Sequence, residues 1–185
     1  REVIERFARV PVVATIASEF RYRQPIIGPE DLCIAISQSG ETADTLAAMR
    51  EAKKHGAKTI AVVNVVSSTA AREADSVLYT WAGPEIAVAT TKAYSAQLSA
   101  LYLIAVKAGL ARGTLTVEQA NHYCEQILAL PDLVKEALGT QKEIQYLASK
   151  FSNKQSAFFL GRGIDFAAAQ EASLKLKEIS YIHSE

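Results

Sequence analysis

Four polar side chains cluster in a short stretch that joins a strand-like apolar run to an amphipathic, helix-like one. They are Ser37, Gln38, Ser39 and Thr42, and Gly40 lies among them. The first N–H groups of a helix lack partners and carry partial positive charge, so they can bind a phosphate without lysine or arginine. Glycine lets an anion approach the backbone closely. The pattern therefore predicts a phosphate site, while plain helix capping by Ser39 remains an alternative.

A second group with chemical potential lies near the end of the chain. Glu171, Lys175 and Glu178 are spaced by four and three residues, so they share one face of a predicted helix. A carboxylate beside an ammonium group can act as the base in a proton transfer between adjacent carbons. A solvated row of ion pairs fits the same spacing.

A third stretch, from Gly83 to Lys92, again joins a strand-like run to a long helical one. Its small residues, among them Val88 and Ala89, permit close backbone contact with a ligand. The alternative is an ordinary strand-to-helix connection that Thr90 or Thr91 caps. A phosphate site at the first stretch also requires Glu41, the acidic neighbour of Gly40, to face solvent, because an inward carboxylate would repel the anion.

These candidate sites need a scaffold, and the first 110 residues alternate short apolar runs with longer amphipathic stretches. The pattern predicts an α/β fold with a parallel sheet, because the middle strands are apolar nearly throughout. Ligands bind at the carboxyl ends of such strands. The predicted strands are Val10 to Thr15, Leu32 to Ser37, Thr59 to Asn64 and Val77 to Thr80. The predicted helices are Glu41 to His55, closed by Gly56, and Thr90 to Ala108, closed by Gly109.

From Thr116 to Lys150 the pattern is wholly helical, and Pro131 is expected to break it. Ser156 to Leu160 then predicts a strand, residues 161–163 a tight turn, and Asp165 to Ile182 a helix. This order repeats that of Leu32 to His55. A second β/α unit therefore begins late in the chain, and we expect the sequence to be a fragment.

The charge balance, the lack of long apolar stretches and the cysteine positions exclude several classes of protein function. Twenty basic and twenty acidic residues cancel, so we expect neither nucleic acid nor a membrane surface as a partner. The start lacks the apolar core of a signal peptide, and no apolar stretch reaches the roughly 20 residues of a membrane span. These features indicate a cytoplasmic protein. Cys33 and Cys124 are far apart and have no nearby histidine cluster, which argues against a disulfide or a metal site.

Several strings together resemble the isomerase region of the glucosamine-6-phosphate synthase family. They are ASEFRYR from Ala17, SQSGETADT from Ser37, EIAVATTKAY from Glu85, FLGRG from Phe159 and QEASLKLKEISYIHSE from Gln170. The string SQSGET is typical of the wider sugar isomerase (SIS) domain superfamily. The resemblance implies doubly wound, flavodoxin-like three-layer αβα domains: a first one at residues 1–110 without its first strand, a helical connector at 111–150, and the start of a second at 151–185.

The resemblance also implies roles for residues. Ser37, Gln38, Ser39 and Thr42 would hold the phosphate of fructose 6-phosphate or glucosamine 6-phosphate. The backbone at Val88 and Ala89 would contact the sugar. Glu178 would be the base that moves a proton between C1 and C2, and Lys175 would assist at the C1 oxygen. No cofactor or metal is expected.

The family reaction converts fructose 6-phosphate and glutamine to glucosamine 6-phosphate and glutamate. The resemblance therefore implies a glutaminase domain in the same polypeptide and a homodimer, in which a neighbouring subunit donates a catalytic histidine. That histidine and a Schiff-base lysine have no match here, so we expect the fragment to be inactive alone. Two alternatives remain: a sugar-phosphate-sensing SIS module of a regulator, and a fructosamine 6-phosphate deglycase.

Overall fold

The computed structural model describes residues 1–185, which divide into two compact units. The first unit comprises Arg1, Val3–Glu5 and Arg9–Ala105, and the second comprises Glu2, Arg6–Ala8 and Val106–Glu185. Up to residue 111 the elements are α1 (Glu2–Ala8), α2 (Ala17–Phe20), β1 (Leu32–Ser37), α3 (Ala43–Lys54), β2 (Lys58–Val63), α4 (Thr69–Glu73), β3 (Ser76–Tyr79) and α5 (Thr91–Ala111).

The first unit is organised around a parallel sheet, which confirms the predicted α/β class. Its strand order is β1-β2-β3, and Ser37 at the end of β1 lies opposite Val63 at the end of β2. Val63 in turn lies opposite Tyr79 of β3. The three carboxyl ends therefore meet at one edge, where the loops that could bind a ligand begin.

Small side chains let the helices of the first unit pack closely on this sheet. The core combines residues of β1, β2, α3 and α4: Ala35, Leu46, Met49, Ala61, Val63 and Ala70. Met49 and Val63 are fully buried. The α3 stripe that the sequence predicted thus packs on the sheet, and Gly56, at φ 85°, ends this helix region as expected.

Two predictions for the first unit are wrong. Residues 10–15 form no strand; Val13 is 80% exposed, and the Val12 amide donates instead to the Glu5 carboxylate at 3.1 Å. A strand needs a partner, and the sheet of this unit contains only β1, β2 and β3. Helix α3 also begins later than predicted, at Ala43 rather than Glu41, with Thr42 as its N-cap residue.

The second unit is mostly helical. Its further elements are α6 (Val117–Leu138), α7 (Gln141–Phe151), β4 (Ser156–Ala157), α8 (Ile164–Ser180) and β5 (His183–Ser184). The short strands β4 and β5 pair in parallel. The buried hydroxyls of Ser184 in β5 and Ser173 in α8 are 2.9 Å apart. Helix α6 opens with a capping box between Thr116 and Gln119.

Three boundaries in the second unit differ from the predicted ones. Pro131 lies inside α6 and is exposed, where water can bind the carbonyl group that loses its donor. Helix α5 continues past Gly109 to Ala111; a Cβ at Gly109 would meet the Phe7 carbonyl oxygen at 2.9 Å, so close packing explains this glycine. The predicted strand at 156–160 is two residues long. None of the helices is both long and apolar enough to cross a membrane.

Candidate functional site

The loop between β1 and α3, residues 38–42, contains the predicted phosphate-binding residues and makes a tight turn. Gly40 has φ 67°, a conformation that other residues adopt only with strain. Thr42 is the N-cap residue of α3, and its side chain makes no capping hydrogen bond. Ser39 is not the cap, because α3 begins at Ala43 and Ser39 lies three residues before Thr42; its hydroxyl accepts the Glu41 N–H within the loop at 3.1 Å. The capping alternative is therefore wrong for Ser39.

Hydroxyl groups determine the shape of this β1–α3 loop. The buried Ser37 Oγ accepts the Gly40 N–H at 3.0 Å and lies 2.9 Å from Thr42 Oγ1. Gln38 contributes its carbonyl oxygen, which accepts the Asn64 N–H at 3.0 Å. The structure thus brings Ser37, Gln38, Ser39 and Thr42 together at the N-terminus of α3.

The charges beside the loop are arranged in a way that suits an anion. Glu41 accepts the Thr69 N–H at 2.7 Å, and this bond, to an amide at the start of α4, lowers the pKa of the Glu41 carboxyl. Asp44, in the first turn of α3, pairs with Arg21 at 2.7 Å. Both carboxylates therefore have partners of their own, and the unpaired N–H groups at the start of α3 keep their partial positive charge.

The loop after β2 supports the β1–α3 loop, and the sequence analysis missed this contribution. Ser68 is 3% exposed, its hydroxyl has no hydrogen-bond partner, and a Cβ added to Gly40 would lie 2.2 Å from its Oγ. The Ala70 amide donates to the Gly40 carbonyl at 3.0 Å. The available signal was that Asn64 ends a buried strand, as Ser37 does.

Asn64 joins the loops that follow β2 and β3. Its Nδ2 donates to the Gly83 carbonyl at 2.7 Å, and its Oδ1 accepts from the Ala82 amide at 2.8 Å and from Thr80 Oγ1 at 3.1 Å. Its backbone amide also bonds to Gln38. The three loops at the carboxyl edge of the sheet are thus hydrogen-bonded to one another.

The Gly83 to Lys92 stretch forms an open loop before α5. Val88 is fully exposed and Ala89 is half-buried. Glu85 caps the helix, because its carboxylate accepts the Ala93 N–H at 3.2 Å, and this bond lowers the pKa of the Glu85 carboxyl. The Thr90 hydroxyl instead donates to the Val88 carbonyl at 3.3 Å. Contact between the sugar and the backbone of this loop stays a prediction.

The predicted charged row exists on α8, in the second unit. Lys175 Nζ lies 2.6 Å from Glu178 Oε2 and 3.5 Å from Glu171 Oε1. The hydrogen bond to Glu178, reinforced by Glu171, raises the pKa of Lys175. Lys175 and Glu171 are about one-quarter exposed, and Glu178 is 43% exposed. The row can hold a carboxylate base beside a protonated amine.

Neither cysteine is part of these clusters. Cys33 lies on β1, where burial raises the pKa of its thiol, and Cys124 lies on α6; both are free and half-buried. No three His, Cys, Asp or Glu side chains converge in a way that could hold a metal ion. The chemistry available to the candidate sites is therefore that of hydroxyls, amides, carboxylates and one lysine.

Comparison with known proteins places these features in a family. The profile of the SIS domain matches residues 2–107. The glutamine--fructose-6-phosphate aminotransferase [isomerizing] of Clostridium tetani is 59% identical over 182 residues, which cover 98% of this chain and 30% of that protein. A protein of the same name from Thermus thermophilus is 47% identical over 183 residues, 99% of this chain and 30% of that one. The chain thus spans less than a third of these relatives.

Solved structures of related proteins share the fold of this chain. The C-terminal domain of glucosamine-fructose-6-phosphate aminotransferase from Francisella tularensis has a TM-score of 0.96 at 43% identity, covering 100% of this chain and 52% of that one. Glucosamine-6-phosphate deaminase from Thermotoga maritima has a TM-score of 0.79 at 24% identity, and the match covers 100% of this chain and 54% of that one. At this identity the likeness shows the fold alone. Since the family profile covers more than half of the sequence, the chain belongs to the SIS domain family.

Proposed function

We propose that the β1–α3 loop binds the phosphate group of a hexose 6-phosphate. The observation that carries this proposal is the N-terminus of α3, which no Thr42 hydrogen bond caps. Hydroxyls surround it, while Glu41 and Asp44 bond to Thr69 and Arg21. An anion placed there would gain hydrogen bonds from unpaired amides and the favourable end of the helix dipole. Ser37, Gln38, Ser39 and Thr42 form this site, and the backbone at Val88 and Ala89 contacts the sugar.

We further propose that the full-length polypeptide is an isomerising aminotransferase. Its reaction converts fructose 6-phosphate and ammonia released from glutamine to glucosamine 6-phosphate. The relatives at 59% and 47% identity bear that name. The glutamine-hydrolysing domain would lie elsewhere in the polypeptide, and the enzyme would act as a homodimer. In this scheme residues 1–110 are the first sugar isomerase domain, 111–150 the connector and 151–185 the start of the second.

In the proposed mechanism Glu178 is the base. Its carboxylate removes a proton from C1 of the sugar and returns it to C2, while the C1 hydroxyl loses a proton and the imine nitrogen that ammonia forms at C2, with loss of water, gains one. The ammonium group of Lys175, 2.6 Å from Glu178, donates a hydrogen bond to the C1 oxygen and stabilises this oxygen as its proton leaves.

Calorimetry with glucosamine 6-phosphate tests the phosphate site. We expect the protein to bind glucosamine 6-phosphate, to bind glucosamine at least about a hundredfold more weakly, and to lose about tenfold in affinity on Ser39→Ala, as one hydrogen bond to a charged group requires. Ser76→Ala, at an exposed serine that starts β3, is the control. Unchanged affinity of the Ser39 variant would reject the phosphate site.

Turnover of the full-length enzyme tests the base. Glu178→Gln should keep affinity for the sugar phosphate and lose at least about a hundredfold in isomerisation, as expected for removal of a general base. Glu171→Gln removes the other carboxylate of the row and should retain turnover. Equal losses in both variants would indicate a structural row of ion pairs. Ligand binding without isomerisation in the unmodified protein would favour a sugar-phosphate sensor.

A further inference from the structure

Glu41 presents an electrostatic puzzle, because it is an acidic residue within a loop that we propose to bind an anion. The residue is exposed, yet its carboxylate is held in one direction by the Thr69 N–H, at 2.7 Å. Arg72, in the last turn of the short helix α4, reaches back to the helix start, where its Nη2 donates to Thr69 Oγ1 at 2.9 Å. The start of α4 thus offers Glu41 both a hydrogen bond and a nearby positive charge.

The hydrogen bond between the Thr69 N–H and Glu41 is one of three that connect the β1–α3 loop to residues 64–70. The other two join backbone groups: the Asn64 amide donates to Gln38, and the Ala70 amide donates to Gly40, each at 3.0 Å. Glu41 supplies the only side chain among the three. It is therefore the part of the connection that a substitution can remove without altering the backbone.

From this geometry we infer that Glu41 is a positioning residue for the ligand loop, an inference that rests on the proposed phosphate site. By bonding to Thr69, its side chain fixes the turn at Gly40 and turns its own negative charge toward α4. Both effects favour anion binding at the start of α3. A carboxylate that merely lay near the phosphate would have the opposite effect, because like charges repel.

The effect of Glu41→Ala on ligand affinity distinguishes the positioning role from simple charge repulsion, because the first role predicts weaker binding and the second tighter binding. We expect Glu41→Ala to weaken binding of glucosamine 6-phosphate by about tenfold, which corresponds to one charge-assisted hydrogen bond. Glu41→Gln keeps an acceptor oxygen and should recover most of that loss. Glu30→Ala, at an exposed acidic residue of the first unit, should bind as the unmodified protein does. Unchanged or tighter binding by Glu41→Ala would overturn the inference.

The bond can also be removed from its donor side, which keeps the test informative if Glu41→Ala does not fold. Thr69 is the first residue of α4, a position that proline tolerates because its N–H is not needed within the helix. Ser68 is extended, with ψ 162°, as a residue before proline must be. We expect Thr69→Pro to weaken ligand binding as Glu41→Ala does. Thr69→Ser, which keeps both the N–H and the hydroxyl that also bonds to the Glu41 carboxyl, should not.

Ser39→Ala distinguishes failure of this inference from failure of the proposed function. If Ser39→Ala weakens binding while Glu41→Ala and Thr69→Pro bind normally, the phosphate site stands and the positioning role of Glu41 is wrong. If Ser39→Ala has no effect, or if the unmodified protein binds no sugar phosphate, both are wrong.

Discussion

The hydroxyl oxygens of Ser37 and Thr42 lie 2.9 Å apart, across the turn between β1 and α3. Ser37 is 7% exposed, and its oxygen also accepts the Gly40 N–H at 3.0 Å. One buried hydroxyl therefore connects the end of the strand, the middle of the turn and the start of the helix. The loop has a defined shape before any ligand arrives.

Replacing Ser37 by alanine should destabilise the protein by about 1–3 kcal/mol, because the Gly40 N–H would be buried without an acceptor. Thr42→Val removes only the second hydroxyl and leaves Gly40 bonded, so its effect should be smaller. Urea unfolding followed by circular dichroism measures both free energies. Equal losses of unfolding free energy in the two variants would show that the Ser37–Gly40 hydrogen bond adds no stability beyond that of the Ser37–Thr42 contact.

Gly40→Ala should lower the free energy of unfolding by more than about 2 kcal/mol, since a positive φ and a steric clash add together. The new Cβ would lie 2.2 Å from Ser68 Oγ. Gly83→Ala is a matched control, because Gly83 has φ 68° and nothing within 4 Å of the added Cβ. A Ser68→Gly change should rescue the clash part of the Gly40→Ala loss, and failure of that rescue would contradict this account.

Asp75 should make stability dependent on acid pH. Its carboxylate accepts hydrogen bonds at 2.8 Å from the hydroxyl and the amide of the buried Thr59, and these bonds lower the pKa of the Asp75 carboxyl. A lowered pKa in the folded state gives stability that is present above the unfolded value of about 3.9 and is lost as pH falls through the folded value.

The check is the free energy of unfolding of the unmodified protein and of Asp75→Asn, measured at pH 7, 4 and 3. We expect the unmodified protein to be the more stable at pH 7 and the difference to shrink as pH falls below about 3.9, because the unfolded Asp75 carboxyl then takes up its proton before the folded one does. A difference that stays constant between pH 7 and pH 3 would mean that ionised Asp75 contributes nothing.

The sequence was sufficient where a local pattern decides the structure. The nearly continuous apolar runs that became β1 and β2 predicted a parallel sheet, and the observed sheet is parallel. The spacing of Glu171, Lys175 and Glu178 likewise determines that they share a helix face. Gly40 was identified as a turn residue, and its positive φ confirms the reason.

The features that the sequence did not predict depend on the folded surroundings of a residue: on partners far along the chain or on its exposure to water. Residues 10–15 have strand-like composition, but a strand forms only where another strand can pair with it. Pro131 should end a helix, yet its exposed position within α6 lets the helix continue. The direction of the Glu41 side chain depends on Thr69, which lies 28 residues further along the chain. No pattern within the loop itself indicates that bond.

That separation in sequence determines when the loop can take its final shape during synthesis. A nascent chain whose α3 has just left the ribosome has no α4 amide for Glu41 to meet, so the turn at Gly40 is held only by Ser37 at that stage. Loop closure over 28 residues must come first, after β2 has paired with β1. A hexose phosphate bound as proposed would therefore stabilise the completed β1–α3–β2–α4 assembly and not the earlier folding steps.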